Sequence, residues 1–322
     1  MATRSDFGTS SAEWDLFLKE YGGFALASFL ENTVMADKVR SRSIRGAKSA
    51  TFPKIGTATA QYHVPGENLL EDSSYEMSPV TGEIVINVDR VYISTILIAD
   101  IDEALSYHDV RQPYARNQAH ALSKSLDVDL MRCVSQGTQT SATSGWTHGD
   151  GYSAVDADFE SGSASDALTT IRAIATTFDK NSVPQSGRHL VLGPTAFHKI
   201  RTDSTVASTD YNTNTGGDVG LGTWLQYAGF KIHMTPIMED TSTFKKDHSS
   251  GTTGQNNDDY KSDNQNVVAL AFQEDCIGHV RAMDLSVEGE YHQLYQGTVM
   301  TARIACGSAV LNHSGCGRVK TA

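Results

Sequence analysis

Apolar residues recur at helical spacing in several stretches of this chain and at strand spacing in others. Near the start, Ser10-Ser11-Ala12-Glu13 offers a helix cap with an acid in its first turn, and Trp14, Phe17, Leu18 and Tyr21 follow on one face. Gly22-Gly23 should break or bend that run before a second helical stretch, Phe24 to Thr33, carrying Leu26, Phe29 and Leu30. The longest helix predicted is Val110 to Val134. Pro113 sits near its start, Leu122, Leu126 and Leu130 repeat at i+4, and Gly137 is read as its stop. About 25 residues at 1.5 Å each would span about 38 Å, the length of a domain. A further helix, capped by Ser165-Asp166, places Leu168, Ile171, Ile174, Ala175 and Phe178 on one face, and Pro194 to Ile200 begins another.

Strand patterns lie between these helices. Arg90 to Leu97, His189 to Leu192, Gly229 to Met234, Val267 to Phe272, Val280 to Val287 and Val299 to Val310 all read as strands, with a hairpin expected around Trp146 and Tyr152. Strands and helices alternate without a βαβ rhythm, so the expected class is α+β. Two polar tracts, 202–222 and 242–266, read as exposed loops, and no internal repeat is visible.

One stretch fits neither pattern. From Arg45 to Asn68 the chain is dominated by Thr, Ala and Gly, with Pro53 and Pro65, and its alternation is weak. In the segment that follows, Glu83 to Asp89, alternation is clean and puts Ile84, Ile86 and Val88 on one face. A lone hairpin is marginal in water. One this long and this poor in apolar side chains is expected to have no core of its own and to lie on another molecule, most simply a second copy of the same chain.

Composition narrows the function. The 322 residues can bury a sizeable core; 39% are hydrophobic and 20% charged, a globular balance. Net charge is −12, which repels phosphate at a distance and argues against sequence-specific DNA binding. Against that background, Lys38, Arg40, Arg42, Arg45, Lys48 and Lys54 form a basic run with no acid between Asp37 and Glu67. It reads equally as a solvated linker or as a patch for an acidic neighbour or closely packed DNA. The N-terminal residues lack the apolar run of a signal peptide, and the longest apolar stretch, Val91 to Ala99, is too short to cross a bilayer. Cys133, Cys276, Cys306 and Cys316 form no Cys-x-x-Cys pair and no disulfide framework, which fits assembly in a reducing cytoplasm.

Several short motifs carry a family likeness: Phe17-Leu-Lys with Tyr21-Gly-Gly23, Gly46-Ala-Lys-Ser-Ala-Thr-Phe-Pro53, Ala60-Gln-Tyr62 and Pro65-Gly-Glu-Asn-Leu69, then Ile98-Ala-Asp-Ile-Asp-Glu-Ala104 and His108-Asp-Val-Arg111. Lys180-Asn-Ser-Val-Pro184, Gly229-Phe230 ahead of Pro236, and Leu285-Ser-Val-Glu288 follow in order. In these the chain resembles the major capsid proteins of T-seven-like short-tailed phages, the autographivirus podoviruses. The resemblance implies a Hong Kong 97-like capsid fold. Residues 1–44 would be an N-terminal arm, 45–89 the extended loop, and 90–160 a peripheral domain holding the spine helix. Residues 161–282 would form an axial domain, and 283–322 would return to the peripheral domain.

The same resemblance implies a virion protein, assembled in the bacterial cytoplasm as hexamers and pentamers of an icosahedral shell of triangulation number seven. It implies a scaffolding protein during assembly, a portal protein at one vertex, packaged double-stranded DNA met non-specifically, and room for a decoration protein. No membrane, cofactor, metal or catalytic residue is expected. Trp14 and Phe17 in the arm, Phe52 and Tyr62 as apolar anchors, Lys48, Lys54 and Glu67 as charged contacts, and Arg111 at the spine start are the candidate inter-subunit residues.

Other chemistry is weaker. Lys48, Lys54 and Asn68 lie where some members of the wider fold form a Lys–Asn isopeptide bond, but this branch is not expected to form one. Gly216 to Gly222 lacks the Lys of a phosphate loop, His148-Gly-Asp150 and Asp127-Val-Asp129 lack further ligands, and Cys306, Ser308 and Cys316 lack a base. Two rival readings are an encapsulin-like compartment and an α+β hydrolase.

Overall fold

The computed structural model describes residues 19, 21–29, 33–56, 58, 60, 62, 63, 65, 66, 68, 81–88, 91–101, 111–139, 149–201, 226–245 and 263–321. Its elements are α1 (residues 21–29), β1 (Arg40–Ser43), β2 (Ser49–Ile55), β3 (Thr81–Asn87), β4 (Tyr92–Ala99) and α2 (Arg111–Gln139). Then follow β5 (Tyr152–Val155), α3 (Asp158–Ser161), α4 (Ala164–Lys180), β6 (Arg188–Leu192), α5 (Pro194–Arg201), β7 (Gln226–Tyr227) and β8 (Phe230–Met234). β9 (Val267–Gln273), β10 (Ile277–His292), β11 (Gly297–Val310) and β12 (Cys316–Lys320) complete the set.

These strands make three sheets. A four-stranded sheet runs β1-β10-β11-β4, parallel between β1 and β10 and antiparallel elsewhere. A six-stranded mixed sheet runs β5-β12-β9-β6-β8-β7, and β2 pairs with β3 alone. The α+β expectation holds. β10 enters the four-stranded sheet at Ile277, and β5 and β12, far apart in the chain, pair at one side of the six-stranded sheet.

Sequence chemistry explains the layers. Every residue of β9 and β6 is buried, as expected of central strands covered on both faces. Leu270 and Phe272 of β9 belong to the core shared with α2 and the four-stranded sheet; Ala269 and Ala271 belong to a second core under α4 and α5. Leu168, Ile171, Ile174 and Phe178 line the buried face of α4, with the Phe178 ring edge-on to Phe230 at 5.6 Å. The cap of α4 is Ser163, two residues earlier than the sequence suggested. Its hydroxyl accepts from the Asp166 amide, and the Asp166 carboxylate accepts from the Ser163 amide in return.

Two expectations are corrected. Helix α1 runs through Gly22-Gly23 without a break, because Tyr21, Ala25 and Phe29 on one face are buried and packing outweighs propensity. The spine helix does not stop at Gly137 but reaches Gln139 over 29 residues. A Cβ on Gly137 would lie 2.8 Å from Cys316 Sγ, so this glycine serves close approach between helix and sheet, not termination. Tyr152 to Val155 forms a strand that pairs in parallel with β12, while the Trp146 side of the expected hairpin lies outside the described residues. Trp146 and most of both polar tracts lie outside the described residues.

The N-terminal segment is clipped to the spine by two polar side chains. Asp127, buried in α2, accepts from Thr33 Oγ1 at 2.8 Å, the Val34 amide at 2.7 Å and the Met35 amide at 3.1 Å. Desolvation pushes its carboxyl up, opposed by those three hydrogen bonds. Gln118 accepts from Tyr21 Oη at 2.7 Å while its amide donates to the Met300 carbonyl at 2.8 Å, joining arm, spine and sheet.

Two substitutions test these joints. Gly137→Ala is expected to lower stability by about 1–3 kcal/mol through overpacking against Cys316, read as a lower calorimetric Tm. Asp127→Ala is expected to cost about 1–3 kcal/mol for each donor left buried without an acceptor, read as a lower urea midpoint.

Candidate assembly surface

The hairpin of β2 and β3 pairs from Ser49↔Asn87 to Ile55↔Thr81, and the Val88 amide closes its base on the Lys48 carbonyl at 2.8 Å. Ile86 is buried, and Ile84 and Val88 on the same face are half-buried, as the alternation required. That face does have a core, contrary to expectation, and the core comes from its own chain. Ala50, Phe52 and Ile86 are buried together with Val280 of β10, flanked by Ile44, Ala309 and Leu311. Two glycines make the seat possible. A Cβ on Gly278 would lie 2.8 Å from Ile86 Cδ1, and one on Gly307 would lie 2.4 Å from the Asn87 carbonyl oxygen. Only the opposite face and the far end of the hairpin are left for other molecules: Val85 and Ile55 are exposed, and Tyr62 is wholly so.

The eight candidate residues therefore divide. Phe52 is only 6% exposed, with the Arg40 guanidinium 5.9 Å from its ring centroid, so its side chain is already engaged inside the subunit. Lys48 is exposed at the hairpin base; Lys54 is half-buried, and burial pushes its ammonium pKa down. Arg111 is the first residue of α2, and only its backbone is described. Trp14, Phe17 and Glu67 lie outside the described residues. The structure thus brings Lys48, Phe52 and Lys54 onto or beside one strand, with Tyr62 beyond its end.

The basic run is not a linker. Arg40 to Ser43 form β1, an edge strand exposed on both faces, and Arg42 Nη1 donates to the Thr51 carbonyl at 3.1 Å across to the hairpin. Arg40, Arg42, Arg45 and Lys48 are all exposed. The positive charge is therefore held on a fixed ledge where β1 meets the hairpin base.

A second surface went unread in the sequence. β4 is the other edge of the four-stranded sheet; Ile96 and Ile98 turn inward toward α2, while Val91, Ile93 and Leu97 are exposed on the outer face. Beyond it, Ile101 is exposed, and the turn between β10 and β11 exposes Leu294 and Tyr295. Tyr291 Oη donates to Asp100 Oδ2 at 2.9 Å, and the Asp100 amide to the Gln296 carbonyl at 3.0 Å, tying that turn to the end of β4. The signal was present: Tyr92 to Ala99 carries apolar residues in both phases of the alternation, one more face than the subunit covers.

The residues weighed for other chemistry have structural employment. Asp129 pairs with Arg132 at 3.2 Å and accepts from Tyr92 Oη. Cys306 is buried and its thiol is pushed up to about 12; Cys316 is pushed up as well, by hydrogen bonding to Cys276 and by burial. Neither is set up as a thiolate nucleophile. Among the described residues no three His, Cys, Asp or Glu side chains are grouped to hold a metal, and no helix is long and apolar enough to cross a membrane.

Comparison with known proteins places this geometry. The family described as "Gp10A-like: Major capsid protein" matches residues 51–320. The chain is 27% identical to the major capsid protein of Escherichia phage T7, covering 94% of this chain and 91% of that one. It is also 27% identical to the major capsid protein of Enterobacteria phage T3, over 99% and 95% of the two chains. Among solved structures, a chain of the capsid of Cyanophage P-SCSP1u superposes with a TM-score of 0.73 at 27% identity, covering 90% of this chain and 88% of that one.

Replacing Ile93 and Leu97 together by Ser is expected to change the stability of the isolated chain by no more than about 1 kcal/mol, since exposed positions carry little folding energy. Chemical denaturation checks this, and a larger loss would mean that the outer face of β4 is covered within the subunit.

Proposed function

Since the chain belongs to the Gp10A-like family of major capsid proteins, we propose that it builds its shell by laying the free face and far end of the β2–β3 hairpin on a neighbouring copy. The protein is a major capsid protein of a tailed phage, with the mixed helix and sheet fold of phage capsids. Its part in the virion is structural. Copies associate as hexamers and pentamers of an icosahedral shell of triangulation number seven. A scaffolding protein guides assembly, a portal occupies one vertex, and the process takes place in the bacterial cytoplasm. The exposed ledge of Arg40, Arg42, Arg45 and Lys48 meets either an acidic neighbour or the packaged DNA, with no base preference, because contacts to phosphate carry no sequence information.

The supporting observation is a division of labour along the hairpin. Phe52, Ala50 and Ile86 fix its base to β10, while Ile55, Val85 and Tyr62 leave apolar surface uncovered beyond that seat. A rigid root aims the exposed part, which lowers the ordering cost of each contact. Many modest contacts then combine through closed symmetry. Lys48, Lys54 and Glu67 supply charged contacts, Trp14 and Phe17 a second apolar one, and Arg111 a further charge at the spine.

Replacing residues 56–66 by a short turn tests the reading. It spares the Phe52 seat, so the chain is expected to keep its thermal transition and lose shells in electron microscopy of co-expressed capsid and scaffold. Normal shells from this variant would overturn the proposal.

A further inference from the structure

Outside the surfaces above, one cluster of titratable groups runs from an exposed carboxylate into the body beside the six-stranded sheet: Glu274 is exposed, His233 half-buried and His189 buried. His189 on β6 is 3% exposed; its Nε2 lies 3.0 Å from Glu274 Oε1, and its Nδ1 lies 3.0 Å from His233 Nε2 on β8. Donor logic orders this chain. A carboxylate can only accept, so His189 Nε2–H donates to Glu274. That leaves Nδ1 of His189 as an acceptor, so the proton between the rings belongs to His233 Nε2, and His233 Nδ1 is the end of the chain. The two imidazoles meet edge to edge through that bond, tilted by 34° with centroids 5.2 Å apart, and the Phe272 ring stacks on His189 at 5.4 Å. Gly187 holds the far end: its φ is +69°, and a Cβ there would lie 2.8 Å from Glu274 Cδ, so the carboxylate side chain lies across bare backbone.

Hydrogen bonding alone leaves room for one extra proton, but any proton sets a cation against Lys38 and Lys231. A first proton fits on His233 Nδ1 and keeps both hydrogen bonds. A second must go to His189 Nδ1, where N–H would face N–H across 3.0 Å. The charged neighbours sharpen the response. Lys38 from the arm and Lys231 from β8 both disfavour charge on the two rings, and Glu274 alone favours it, acting on His189. Glu274 also opens the turn Glu274–Cys276 that leads into β10, the strand on which β1 is paired from Arg40↔Gly278 onward. Lys38 in turn donates to the Val34 carbonyl at 2.6 Å within the segment clipped by Asp127.

We propose that the Glu274–His189–His233 chain is an acid-sensitive latch: protonation of the ring pair facing Lys38 loosens residues 33–43 from the body of the subunit. Burial and the two lysines lower the pKa of His233 to about 4 and lower that of His189 as well. A histidine with a depressed folded-state pKa contributes stability that is complete above its ordinary value of 6.5 and is lost as pH falls from there toward 4. The latch is therefore closed at neutral pH and opens on the acid side. Loosening the arm changes what the segment between spine and hairpin presents to other molecules.

Hydrogen exchange of the unassembled full chain, with rates divided by the intrinsic rate at each pH, reads the latch directly. Protection of amides 33–43 is expected to fall at least about tenfold between pH 6.5 and 4, while β9 stays protected. In His233→Gln the side-chain amide still donates to His189 but takes no proton, and the fall is expected to shrink to under about twofold. Lys38→Met, which removes the repelled cation, is expected to flatten the same pH dependence and to raise the His233 midpoint seen by imidazole NMR. An unchanged fall in both variants, or wild-type protection that does not respond to acid, would overturn the latch. Should His233→Gln fail to fold, Lys38→Met and the NMR titration still decide the matter.

Discussion

The subunit depends on one helix touching both large sheets at once. From Leu126 to Ser135 every residue of α2 is buried, so no side of the helix in that stretch is spare for solvent. Such a helix needs backbone contact somewhere, and Gly137 against Cys316 provides it. The same economy recurs nearby: a Cβ on Gly315 would overlap Cys276 Sγ, and one on Gly317 would press on Ile174. Small residues at these crossings set how closely spine, turn and sheet approach, and the two cores on either side of β9 are shaped by that spacing.

The polar groups buried along the spine are used to attach things. Asp127 gathers the chain entering from the arm, Gln118 bridges the arm to β11, and Arg132 donates to the Thr243 carbonyl beside buried Phe244. Each of these costs desolvation and recovers it through specific partners, so each fixes position more than it adds stability. The hairpin is attached by the opposite means, a small apolar seat without buried charge.

Much of the fold could be read from the sequence because it is written in periodicity. Leu122, Leu126 and Leu130 announced the spine, Val267 to Phe272 announced a strand, and Ile84, Ile86 and Val88 announced which side of the hairpin is apolar. What periodicity omits is the partner. The apolar side of the hairpin could have faced a sister copy or its own body, and the glycines that decided for the body, Gly278 and Gly307, sit about 200 residues away in the chain. Phe52 looked like an outward anchor for the same reason. β1 was hidden because Arg-Ser-Arg-Ser has no apolar position at all; its backbone pairing with β10 carries it. The outer face of β4 was missed although its two-phase apolar pattern was plain.

Strand β12 carries a consequence of a different kind. It is inserted between β5 and β9, parallel to the first and antiparallel to the second, with Lys320 opposite Val155. A ribosome adding about 5–20 residues per second makes β5 roughly ten to thirty seconds before it makes the strand that β5 pairs with. During that interval the nascent chain carries an open sheet border and one uncovered flank of the spine. A slower ribosome lengthens that exposure, so translation speed joins the things that set how many subunits reach the shell.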